Sequence, residues 1–62
     1  MYDPRKEKKY LLRIFGGDRE VYKDFLKFYD EAVAEGSIIP QEIAWIRFRE
    51  VYQETETGFT HV

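Results

Sequence analysis

The chain has no cysteine and a single histidine, His61. No disulfide can staple it, and a zinc site would lack both thiolates and a second imidazole. A nucleophile–base pair has no evident members, because Ser37 falls in a turn pattern and His61 in a tail-like stretch. No run of about 18 apolar residues is present, so no membrane span is expected. Met1 is followed by charge, so no signal peptide is expected. Together with the missing cysteine, this reads as a cytoplasmic protein. Gly16-Gly17 stands before a helix start, but the Gly-x-x-x-x-Gly-Lys-Ser/Thr pattern is missing. Asp18 and Glu20 would repel phosphate there. Glu31/Glu35 and Glu50/Glu54 are four apart, yet no Glu has His three residues later, so they read as solvated faces rather than a di-metal site. No catalytic residue, metal, cofactor or small-molecule substrate is expected, and the chain is read as a non-enzyme.

What is abundant is aromatic. Eleven residues are Phe, Tyr or Trp in a chain of 62. One domain of this size buries only about 60% of its unfolded surface, and such domains usually need a staple or a partner. With staples excluded, self-association or a protein partner is the expected supplement. The formal net charge of −2 is unevenly placed: residues 1–13 carry +3 and residues 14–62 carry −5. A basic arm on an acidic body can mean nucleic-acid contact, or a solvated charge-rich helix.

Three helices are predicted, at about 4–15, 18–35 and 40–54, in an all-α, compact three-helix bundle forming one domain over 1–62. Asp3-Pro4 is a helix start, with Asp as N-cap and Pro in the first position. Residues 10–15 could also be read as a strand, since Tyr, Ile and Phe favour strands; helix is the adopted reading. Asp18 and Glu20 suit the N-terminus of the second helix, and Gly36 its left-handed C-cap. Pro40 opens the third helix, which is apolar on most sides and so is expected to be buried on more than one. After Glu54 the pattern decays into a frayed or extended tail. Antiparallel packing of the second and third helices makes the core, closed by the first. The expected core is Leu11, Ile14, Phe25, Phe28, Ala32, Ile39, Ile43, Ile46 and Val51. Tyr22, Tyr29, Trp45, Phe48 and Tyr52 lie beside these stripes and are the candidate protein-interface residues.

The leading expectation is a small regulatory or adaptor protein acting through protein–protein contacts of an aromatic helical face, as a homodimer. The alternative is nucleic-acid binding through Arg5, Lys6, Lys8, Lys9 and Arg13 with Arg47 and Arg49. Ala32 and Gly36 have the spacing of a helix-turn-helix, in which Gln41, Arg47 and Arg49 would face DNA. Against that reading, Ser37 replaces an apolar turn residue, and Glu42, Glu50 and Glu54 would face phosphate.

Glu35-Gly36-Ser37-Ile38 followed by Pro40-Gln41-Glu42-Ile43 resembles SHOCT-type helical hairpins. Leu11-Leu12-Arg13-Ile14-Phe15-Gly16 followed by Gly17-Asp18-Arg19-Glu20 is similar to the YqgQ-like family of short three-helix proteins. That family has a few residues between the two pieces, and this chain has none. The resemblance implies a compact three-helix fold that binds nucleic acid or protein, and it carries over no functional residue.

Overall fold

In the computed structural model, which describes residues 3–62, a 3₁₀ turn at Pro4–Glu7 leads into helix α1 at Lys8–Ile14. Helices α2 at Arg19–Ala34 and α3 at Pro40–Val51 follow, and then strands β1 at Tyr52–Glu54 and β2 at Phe59–His61. Met1 and Tyr2, with the expectation of no signal peptide and one of the eleven aromatics, lie outside the described residues.

The helix boundaries come from local chemistry. The Asp3 carboxylate accepts from the Arg5 N–H at 3.0 Å, and Pro4 occupies a position where its missing N–H costs nothing. Asp18 accepts from the N–H groups of Glu20 and Val21 at 2.9 and 3.3 Å, satisfying two orphan donors of α2. Gly36, at φ +82°, turns the chain out of α2: its N–H reaches the Val33 carbonyl, and the Ser37 N–H reaches that of Ala32. This pair of bonds is a Schellman cap, which needs a residue at ease in the left-handed region. The Ser37 hydroxyl then accepts from the Ile39 N–H at 3.1 Å, tightening the approach to Pro40. Residues 10–14 are helical, not a strand.

The three helices form a compact core, with α2 and α3 as its main pair. The sequence-based picture of a purely helical fold needs one correction. Helix α3 ends at Val51, and residues 52–61 form an antiparallel hairpin pairing Tyr52 with His61, Gln53 with Thr60 and Glu54 with Phe59. In that register Tyr52, Glu54, Phe59 and His61 share one face, Gln53 and Thr60 the other. Its turn is closed by the Thr55 N–H on the Gly58 carbonyl at 2.7 Å. Phe59 enters the aromatic cluster, 5.0 Å from Phe48 and 5.7 Å from Phe15 between ring centroids. The expected frayed tail is thus a closing element of the core.

The hairpin tip docks on the corner after α1. A Cβ on Gly16 would stand 2.2 Å from the Thr57 carbonyl oxygen, and one on Gly58 would stand 2.9 Å from the Phe15 carbonyl. The two backbones touch because both positions lack a side chain.

The buried side chains are Leu11, Phe15, Val21, Tyr22, Phe25, Tyr29, Ala32, Ala44, Phe48 and Tyr52, with Pro4 beneath Tyr22. Two expected core residues, Ile39 and Ile46, are instead exposed. Helix α3 turns Ala44 and Phe48 inward, and Ile46 lies nearly opposite Phe48 on the helical wheel.

Candidate functional site

Four of the five expected interface aromatics belong to the interior. Tyr22, Tyr29, Phe48 and Tyr52 are buried within the single chain, and Trp45 alone of the five is half-buried. A tyrosine can place its ring in a core and its hydroxyl at the rim, and two of these do so visibly. The Tyr22 hydroxyl donates to the Pro4 carbonyl at 3.3 Å. The Tyr52 hydroxyl donates to the Asp24 carboxylate, joining the end of α3 to α2.

Burial, and then the bond to Asp24, push the Tyr52 phenol up to about 12 from its ordinary value of 10.0. Its folded value lies above its unfolded one, so the contribution is whole below pH 10 and is lost as pH rises toward 12. Tyr52→Phe is expected to cost about 1–2 kcal/mol at pH 7, because a charge-assisted hydrogen bond is lost. It should also flatten the fall in stability between pH 10 and 12. Urea melts at pH 7 and across that alkaline window test this; equal alkaline slopes for parent and variant would contradict it.

The open apolar surface lies elsewhere. Val33, Ile38, Ile39 and Ile46 are 50, 95, 47 and 59% exposed. Val33, Ile38 and Ile39 border a groove of about 560 Å³ at the junction of α2 and α3, together with Tyr29, Pro40 and Glu42. Glu42 also borders a second, shallower hollow of about 360 Å³ with Trp45, Ile46 and Arg49. Glu42 lines both, so the two hollows adjoin near the start of α3. Ile39, Glu42, Ile46 and Arg49 follow at intervals of three and four, the spacing of one helical stripe. Trp45 lies at its edge. Its ring packs 4.5 Å from that of Phe25, and the Arg49 guanidinium lies 5.3 Å from the indole centroid. Such a cation over an indole is favourable.

The basic residues divide. Arg5 grips Asp30 through two hydrogen bonds of 3.1 and 2.6 Å, and that bond chiefly raises its pKa. Arg47 grips Glu35 in the same forked way, at 3.0 and 2.6 Å, tying α3 to the end of α2. The Arg47 hydrogen bonds hold the Glu35 carboxyl below the usual carboxylate range. Lys6, Lys8, Lys9 and Arg13 are exposed along the first turn and α1. Arg47 and Arg49 sit on α3, so the seven candidates lie on different elements.

Among the described residues, no three His, Asp or Glu side chains gather where a metal ion could be held. Among them, too, no helix is long and apolar enough to cross a membrane. The sequence did not single out Ile38, Ile39 and Ile46 as surface; the signal was present in the Ile39-Glu42-Ile46-Arg49 spacing. The chain matches no protein-family model, no curated protein and no solved structure.

Proposed function

We propose that this protein is a small non-enzymatic regulatory or adaptor module that acts by protein–protein contact through the α3 face and its adjoining turn. The carrying observation is the exposure of Val33, Ile38, Ile39 and Ile46 around two adjoining hollows, one of them bordered by half-buried Trp45. Water meets four aliphatic side chains of α2, α3 and the turn between them. Exposed apolar surface rimmed by charge often marks an interaction site. Tryptophan and arginine are the side chains most often found to dominate such contacts. The aromatic face of the sequence-based reading thereby becomes an aliphatic one with a single aromatic at its edge.

A photo-crosslinking side chain at Ile46, in protein made in its own cells, is expected to give protein adducts, self-adducts included. The same group at Lys27, on the α2 face turned away from Phe25, is the control. Protein adducts no more abundant from position 46 than from position 27 would remove the proposal.

The rival reading keeps one observation of its own. Lys6, Lys8, Lys9 and Arg13 make no ion pair among the described residues. A basic segment with free ammonium groups suits a phosphate backbone. A shift with short DNA or RNA at low salt, abolished at high salt, would move the assignment to that side; no shift at low salt would end this reading.

A further inference from the structure

Among the described residues, three charges of helix α3, Glu42, Arg49 and Glu50, make no ion pair. Arg5 and Arg47 are each engaged by a carboxylate. Glu42 and Arg49 are exposed, both border the hollow around Trp45 and Ile46, and neither forms an ion pair among the described residues. They cannot reach each other: seven residues span about 10 Å along a helix. Seven residues is also close to two turns, so both charges emerge on one side, with Ile46 between them.

That order is self-complementary in one orientation. If a second α3 runs antiparallel across this face, each Glu42 meets the Arg49 of the other copy. The two-fold axis then passes between Trp45 and Ile46, and each Ile46 meets the Trp45 of the other copy. A parallel copy would instead set Glu42 against Glu42 and Arg49 against Arg49. A two-fold contact requires a surface patch that complements itself, and this stripe does so with an apolar centre and opposite charges at its ends. The Arg49 guanidinium need not leave Trp45, because a guanidinium stacked on a ring still presents its N–H edge to a carboxylate.

We propose that the α3 face binds a second copy of this chain, antiparallel and two-fold symmetric. Two reciprocal Glu42–Arg49 pairs flank a centre of Ile46 and Trp45. The proposal rests on the reading of this face as a protein-contact surface and names the partner. The like-charge clash in the parallel arrangement gives orientation, and the apolar centre gives the attraction.

The test is sedimentation equilibrium of the purified chain from about 10 µM to 1 mM, a range suited to interfaces at the small end of the size scale. The parent should dimerise. Glu42→Arg and Arg49→Glu each turn two attractive pairs into two repulsive ones and should weaken dimerisation about tenfold or more. The two single variants mixed in equal amounts should associate more tightly than either alone, since each substituted side chain then faces its opposite. The doubly reversed chain should recover likewise. Unchanged far-UV circular dichroism separates lost association from lost fold, and the mixture separates it independently.

A parent that stays monomeric throughout overturns the proposal. So does association indifferent to both reversals, or a mixture no tighter than its components. Those results leave the protein-contact reading standing if crosslinks at position 46 still capture protein. Loss of the crosslinks defeats that reading instead.

Discussion

Phe48→Ala is expected to leave a chain that no longer unfolds cooperatively at room temperature. Phe48 has no exposed surface. Its ring centroid lies 5.2 Å from that of Phe15, 5.6 Å from Trp45, 4.7 Å from Tyr52 and 5.0 Å from Phe59. Truncation removes the centre of a cluster fed by the corner after α1, by α2, by α3 and by both strands. Removing a buried Phe costs about 3–5 kcal/mol. A chain of 62 residues has roughly 3–9 kcal/mol in total, at about 0.05–0.15 kcal/mol per residue. The loss is therefore comparable with the whole stability. Urea unfolding followed by Trp45 fluorescence should show a midpoint lowered by about 3 M or more, given a slope near 1 kcal/mol/M for small proteins, or no transition at all. A normal midpoint with altered self-association would return Phe48 to the interface role expected from sequence. Phe48→Leu, which keeps most of the volume, should cost less than about 2 kcal/mol.

Gly16→Ala is the second large effect, and Gly17→Ala is its internal control. Both glycines have positive φ, +71° and +80°. Both substitutions therefore meet the left-handed penalty of about 1–2 kcal/mol. They differ in surroundings. At Gly17 nothing lies within 4 Å of an added Cβ, whereas at Gly16 the Thr57 carbonyl oxygen would be 2.2 Å away. That neighbour is backbone, so no side-chain rotation relieves the overlap, and the hairpin tip must lift. Lifting it withdraws Phe59 from Phe15 and Phe48. Gly17→Ala should lower Tm by about 4–8 °C per kcal/mol lost, and Gly16→Ala by at least twice the shift of Gly17→Ala. Hydrogen exchange gives a second readout. The Val62 N–H, bonded to the Val51 carbonyl at 2.8 Å, should lose protection in Gly16→Ala before the α2 amides do. Equal shifts for the two glycine variants would mean that the tip does not bear on the corner.

The helices were legible because their ends are written locally. Asp3-Pro4, Asp18, Gly36 and Pro40 each act on the few backbone groups beside them, and each does in the structure what the residue type suggests. The hairpin was not legible. Its strands have three residues each, too few for a period of two to stand out, and Tyr52 also fits the end of the preceding helical pattern. What holds it is Phe59 against Phe15 and Phe48, contacts that no local window contains. The candidate surface was half legible. Helix α3 was recognised as apolar nearly all round, but which side faces inward depends on Ala44 admitting a neighbour where Ile46 would not. The tyrosines were set beside the core stripes by their helical spacing; in the structure Tyr22 and Tyr52 satisfy their hydroxyls on Pro4 and Asp24 and bury the rings.

The docking of the hairpin tip on the corner after α1 also bears on how the protein is made. Chains emerge from the ribosome N-terminal end first, at about 5–20 residues per second. Phe15, Phe25, Trp45 and Phe48 all reach the outside before Phe59, which completes their cluster. The helical hairpin can form early, from contacts near in sequence, but its aromatic side stays wet until position 59 is free to fold back. Until position 59 folds back, the rings of Phe15 and Phe48 lack the cover that Phe59 supplies in the finished molecule.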